Sequence, residues 1–386
     1  MKKETFLAIL FLSLVALFSC VPPESVAPAV FGGKKYDSAR AIVRTKTGYA
    51  MAGMTDSFGL GGIDVYLVAV DKNGRLKFQQ SYGGKGDDAA YALTMTSDGC
   101  YALAGYTTSY GAGKKDMYII LTGKNGEYKK STAFGGPNQD EAKSICQAEN
   151  GQFLIAGSTA SYGNGNFDGY LIMTDSKGDC VWSRTTGGEM NDMFNAVIPA
   201  GGGRYLAVGS SNSGTKGFHD MYAVLVDEVG AVIWEKTYGG ELMDSGYAAV
   251  STSDGGFLIV GEKSSKISAN DIWLVRTDKD GTVLWEQLYG GARIDYASSV
   301  VAAPDGGFII AGLTESRGNG MSDMIVFKTD KLGRIVWEKL FGGRHDEYAG
   351  GITTGHNGGY AVCGWTKSYG SGDYDVVFMK LNEAGK

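Results

Sequence analysis

The sequence predicts an all-β fold: a single seven-bladed β-propeller with four antiparallel strands per blade, the last blade completed by an N-terminal strand. Three observations predict it: a unit of about 50 residues repeated seven times, glycine punctuation at tight-turn positions, and no stretch of helical periodicity. Of the 386 residues, 43% are hydrophobic and 20% charged, enough apolar material for a large core. Glycine is the outlier at 60 residues, about 15.5% against a usual ~7%, whereas there are only 6 prolines. High glycine with little proline and no G-X-Y register points to many short turns and excludes collagen or a low-complexity linker. The net charge of -6 excludes a generic phosphate-backbone binder, so no nucleic-acid partner is expected.

Before the repeats comes a targeting pattern. Lys2 and Lys3 precede an apolar run from Phe6 to Phe18, too short for a comfortable membrane span. It ends in Leu17-Phe18-Ser19-Cys20, which resembles the lipobox of bacterial lipoproteins, with Phe18 bulkier than that pattern usually carries. The resemblance implies a signal peptide over 1–19, a lipidated Cys20 with a short tether over 20–25, and a propeller over 26–386. It also implies a cell-envelope protein held by acyl chains, and Val21 hints at the outer membrane or cell surface rather than the inner membrane. The alternative is an ordinary signal peptide with an incidental cysteine. Cys100, Cys146, Cys180 and Cys363 are too irregular for a metal site and too sparse for a disulfide framework, so core packing is expected of them.

An aromatic-Gly-Gly tripeptide opens units at Phe31, Tyr82, Phe134, Tyr238, Tyr289 and Phe341, with Thr186-Gly187-Gly188 as the weaker copy. Intervals of 51, 52, 52, 52, 51 and 52 residues separate them. Four residues after the second glycine stands a carboxylate: Asp37, Asp88, Asp140, Asp192, Asp244, Asp295 and Glu347. A second series keeps the same register at Asp64, Asp116, Asp168, Asp220, Asp271, Asp323 and Asp375. In the sixth unit, Ala297 to Ala302 reads as a first strand, Pro304-Asp305-Gly306-Gly307 as a turn and Phe308 to Gly312 as a second strand. A long loop from Thr314 to Ser322 leads to a third strand, Asp323 to Thr329. After the turn Asp330 to Gly333 comes a fourth, Arg334 to Leu340.

The seventh unit lacks a fourth strand, and Val26 to Phe31 fit the end of one, so the N-terminus is expected to complete the last blade. Pro28 is acceptable there because an edge strand leaves one N-H facing water. Trp182, Trp234, Trp285 and Trp337 share one outer-strand position and read as packing between blades. Units of the form Tyr-Gly-Gly-x-x-x-Asp, Asp-Gly-Gly-Phe-Ile-Ile-Ala-Gly and Asp-Lys-x-Gly-x-Val-Trp resemble bacterial secreted β-propeller repeats of the SBBP and Kelch-like kind, across residues 26 to 386. That resemblance implies the fold and is nearly silent on function, since such propellers host binders and enzymes alike.

Both carboxylate series fall on the face carrying the long loops. As repeated residues they are expected to accept backbone N-H bonds and hold loops or neighbouring blades. The alternative has the inner series ringing the channel mouth, where crowded carboxylates would recruit a cation such as Ca²⁺. Symmetry breaks point more directly to function. After the long-loop serine, blades one to three and seven carry Phe58, Tyr110, Tyr162 and Tyr369, while blades four to six carry Gly214, Lys266 and Arg317. In a closed ring this gives an aromatic arc opposite a cationic one, joined by Arg293, Arg344 and His345. Aromatics beside mobile polar groups suit sugar rings or peptide backbones.

Catalytic signatures are thin: three histidines at no ligand spacing, no nucleophile elbow, no phosphate-binding loop. Asp346-Glu347 and other acidic neighbours could pair as acid and base for sugar hydrolysis or lyase chemistry, and their repetition in register argues against it. The expectation is a monomeric, lipid-anchored module with no catalytic residues and no cofactor beyond an optional Ca²⁺. It would bind an envelope protein or glycan on its long-loop face, with the short-turn face toward the bilayer. The competing readings are a carbohydrate-active enzyme working at the channel mouth and a scaffold in an envelope complex.

Overall fold

The computed structural model describes residues 28–386 except 216, 267 and 268. Cys20, the preceding leader and Val26 lie outside the described residues. Twenty-eight strands form seven four-stranded antiparallel sheets, and the described residues contain no helix. Blade one runs Asp37–Thr45, Gly48–Thr55, Asp64–Asp71 and Leu76–Tyr82 in spatial order. The sixth runs Asp295–Ala302, Phe308–Thr314, Asp323–Thr329 and Ile335–Phe341, within two residues of the expected strand boundaries. First strands sit innermost; fourth strands are largely exposed, as their alternating polar residues require.

The ring closes as a β-propeller does. In blade seven the sheet order is Ala29–Phe31, Asp375–Leu381, Tyr360–Thr366, Glu347–Thr354, so one N-terminal strand joins three C-terminal ones. Phe31 pairs with Val376, Val30 with Val377 and Ala29 with Phe378. Among the described residues this strand begins after Pro28, which has no N-H to extend the ladder, and pairs with Val376 to Phe378. Across the seam, the Asp37 N-H donates to the Tyr374 carbonyl (2.8 Å) and the Arg44 guanidinium to the Gly355 carbonyl (2.9 Å). Beneath them Ala39, Ile42, Met51 and Tyr66 of blade one pack with Ala361, Cys363, Val376 and Phe378 of blade seven.

Neighbouring blades are joined the same way. The Trp182, Trp234 and Trp337 indoles donate to the Glu228, Lys279 and Glu383 carbonyls in the next blade's short turn, at 3.1–3.2 Å. The tyrosine of the aromatic-Gly-Gly motif does likewise, with the Tyr238 hydroxyl donating to the Gly281 carbonyl at 2.7 Å. The tryptophans are therefore inter-blade clamps, as the sequence predicts.

Every first strand carries a bulge at one position, leaving Arg40, Tyr91, Lys143, Asn195, Tyr247, Ser298 and Gly350 outside the ladder. Opposite each bulge stands the glycine of the second-strand Ala-Gly pair or its equivalent: a Cβ on Gly53 or Gly312 would collide with the Ser38 or Tyr296 carbonyl. The small residue lets the backbones approach, and the extra residue turns toward the axis.

Candidate functional site

The long-loop face is built on the two carboxylate series. All of them are buried at the blade junctions except Asp271, which is half-buried. Asp140 accepts the Gly136 N-H (2.9 Å) and the Ser161 hydroxyl (2.7 Å), together with the Thr159 hydroxyl. Asp37, Asp88 and Asp192 repeat the glycine and serine bonds; Asp244 keeps the glycine bond (Gly240, 2.8 Å) and Asp295 the serine bond (Ser316, 2.6 Å). Glu347 takes the Gly343 N-H at 2.7 Å and the Thr366 hydroxyl at 2.9 Å. Outer carboxylates hold the long loops: Asp116 accepts from Ala112 and Gly113, both at 3.0 Å, and Asp375 from Ser371 and Gly372. The two series meet at the first glycine of the aromatic-Gly-Gly motif, where a Cβ on Gly83, Gly135 or Gly239 would strike a carboxylate of each series.

The reading of these groups as backbone holders fits this geometry. Each inner carboxylate takes donors of its own loop, and one oxygen each of Asp88, Asp192 and Asp295 is buried with no hydrogen-bond partner. Among the described residues no three His, Cys, Asp or Glu side chains come together as a metal-holding group. Burial, assisted by nearby carboxylates, raises Asp64, Asp168 and Asp375 above the ordinary carboxylate range. Asp346, the other half of the acidic pair, accepts the Ser322 hydroxyl at 3.1 Å, and its neighbour Glu347 is buried.

On this frame the aromatic arc is continuous through blades seven, one, two and three. Tyr110, Tyr162 and Tyr369 are 49%, 46% and 44% exposed, and Phe58 is half-buried. Each tyrosine is pinned: its hydroxyl donates to the Gly83, Gly135 or Gly342 carbonyl at 3.2, 2.8 and 3.2 Å. Phe58, Tyr110 and Tyr162 also pack on Tyr66, Tyr118 and Tyr170, with ring centroids 5.6–5.8 Å apart. Between blades one and two lies a cleft of about 420 Å³ lined by Tyr82, Tyr110, Tyr118, Tyr128, Ser81 and Ser131.

The opposite arc is charge-balanced rather than cationic at its loop tips. Lys266 pairs with Glu241 at 3.0 Å and Arg317 with Glu338 at 2.7 Å. Arg293, Arg344 and His345 are exposed on the connections entering blades six and seven, where the Arg293 and His345 N-H groups bond the Ser316 and Ser368 hydroxyls. Of the four cysteines, Cys100, Cys146 and Cys363 are buried as expected, while Cys180 is exposed because it opens an outer strand.

Sequence reasoning missed the channel lining. The bulge residues Arg40, Tyr91, Lys143, Asn195, Tyr247 and Ser298, with Tyr296 and Tyr348, surround a cavity of about 350 Å³ on the axis. The signal was present: three residues after an invariant carboxylate, seven otherwise similar units carry six different residue types.

Fold and face together define a seven-bladed β-propeller with a tyrosine-lined rim. No family model matches the chain. The Regulatory protein FlaEY of Caulobacter vibrioides is 25% identical over 193 residues, covering 43% of this chain and 20% of that protein. The chain thus spans about a fifth of that relative's length. Among solved structures, the WD40 domain of Neurospora crassa Pan2 matches at a TM-score of 0.55 and 11% identity, over 89% of this chain and 91% of that one. Sqt1 from Chaetomium thermophilum matches at 0.49 and 13%, over 87% and 83%. At such identities the Pan2 likeness shows the fold alone.

Proposed function

We propose that this protein is a lipid-anchored module of the bacterial cell envelope that captures a protein or glycan on its long-loop face and performs no chemistry there. The observation that carries the reading is the row of tyrosines held rigid by hydroxyl-to-carbonyl bonds while nearly half of each ring faces solvent. Pre-set, amphipathic aromatic surface lowers the ordering cost of binding, and such residues are the usual interface anchors. The cleft between blades one and two, with tyrosine faces beside two serine hydroxyls, favours a sugar ring as the captured group. Attachment through Cys20 rests on the lipobox resemblance, and the short tether supports an arrangement with the long-loop face turned from the bilayer.

The test is capture of envelope glycans and proteins by the full chain and by the Tyr110→Ala/Tyr162→Ala double variant. The double variant loses capture at least tenfold with its thermal melt unchanged. Equal capture by both proteins contradicts the reading. Replacing Cys20 with Ser releases the protein from the membrane fraction on this account; retention in that fraction contradicts the anchor.

A further inference from the structure

We infer that the long-loop half of the central channel is a second binding site, specific for a carboxylate-bearing sugar such as a uronic-acid residue of a glycan. The site lies one and three residues down each first strand, where the bulges turn one residue per blade toward the axis. The seven positions are not equivalent. Blades five to seven give an aromatic wall, with Tyr247 and Tyr296 centroids 5.7 Å apart and Tyr296 and Tyr348 6.1 Å apart. Trp365 backs that wall, 5.8 Å from Tyr348. Blades one and three give cations.

Those cations differ in what they leave free. The Lys143 ammonium lies 2.7 Å from Glu141 and 3.9 Å over the Tyr91 ring, and Lys115 takes the other Glu141 oxygen at 2.6 Å. Glu262, beside Tyr247, is likewise occupied, by the Tyr247 hydroxyl at 2.6 Å and the Asn270 amide at 2.9 Å. Arg40 enters no ion pair among the described residues: its guanidinium sits 5.0 Å over the Tyr348 ring and its Nε has no hydrogen-bond partner. A planar cation beside an aromatic wall suits a ligand with one carboxylate and a flat C-H face. Asn195 and Ser298 also line the cavity; the Asn195 amide donates to the Gly246 carbonyl at 2.9 Å and the Ser298 hydroxyl to the Ala349 carbonyl, so their oxygens are left to accept from ligand hydroxyls. With Lys143 already paired to Glu141, Arg40 is the cation among the described lining residues left to meet an anion, so one carboxylate fits better than a diphosphate. A volume of about 350 Å³ admits one or two hexose-sized rings.

The test is calorimetric titration of the full chain with trimers of galacturonate, glucuronate and mannuronate, beside neutral trimers of matching linkage and a nucleoside diphosphate. At least one acidic trimer binds tenfold or more tightly than its neutral counterpart, and binding weakens with salt. Arg40→Gln and, independently, Tyr296→Leu each lose at least tenfold in affinity, while Tyr110→Ala/Tyr162→Ala binds the acidic trimer as the parent does. Melting curves establish that each variant is folded, and either channel variant alone suffices. The inference is overturned if no acidic trimer binds, if neutral trimers or the diphosphate bind as well, or if both folded channel variants bind as the parent. Loss of acidic-trimer binding in the rim variant alone also overturns it, moving the ligand to the rim and leaving the proposed function standing.

Discussion

At the scale of single residues, the repeat is preserved by buried hydrogen bonds more than by apolar bulk. Asp140 shows the logic: two hydroxyls and one backbone N-H converge on a carboxylate with no access to water. Asp140→Ala strands those donors, and a buried unsatisfied group costs about 1–3 kcal/mol. Urea denaturation of that variant is expected to show a loss of at least about 2 kcal/mol, whereas alanine at the exposed rim residue Tyr162 falls well short of that. Equal losses for the two would mean the carboxylates are not the junction fasteners. These residues were legible from their spacing alone, because fourteen in-register carboxylates are a backbone pattern. The channel residues were not, since reading a strand by simple alternation assumes an unbroken ladder. Arg40 and its counterparts face the axis because one residue escapes the pairing, and the evidence for that escape lies across the sheet, in glycines such as Gly53.

At the scale of elements, hairpins on the short-turn face are stiffened individually. In blade five, Asp254 lies in the first hairpin turn and its two oxygens accept from the buried Arg276 guanidinium, both at 2.6 Å. In blade six Asp305 and Lys328 make the equivalent bridge. The Thr252 hydroxyl foremost, then the Gly256 N-H and Arg276, lower Asp254 from 3.8 to about 2. A carboxyl depressed in the fold stabilises it above its unfolded value and loses that contribution as the pH falls toward the folded one. The window here is from about pH 4 down to about pH 2. Asp254→Asn is therefore less stable than the parent at pH 6, and the difference shrinks through that window. A constant difference in melting temperature between pH 6 and pH 2 would contradict the assignment. Strand positions and turn types of these hairpins were readable, because turn aspartates and glycines are local chemistry. The bridge was not, since Asp254 and Arg276 are joined only when two strands pair.

At the scale of the whole molecule, function is a property of the closed circle. Closure sets the blades of Tyr369 and Phe58 side by side and makes an arc of four rings from residues more than three hundred positions apart. It also sets Arg40 beside Tyr348 in the channel. The end-matching of the first and last repeats made closure legible; what the arc and the channel hold was not, because ligand recognition depends on the few residues in which the repeats differ. The most direct measurement is amide hydrogen exchange of the segment Asp375–Leu381, in the full chain and in a chain lacking residues 1–31. A closed ring gives protection in the full chain equal to that of the third strand of blade six, Asp323–Thr329, and selective acceleration of at least a hundredfold at Val376 to Phe378 in the shortened one. Fast exchange of that segment in the full chain, or identical rates in both, would contradict the closed ring.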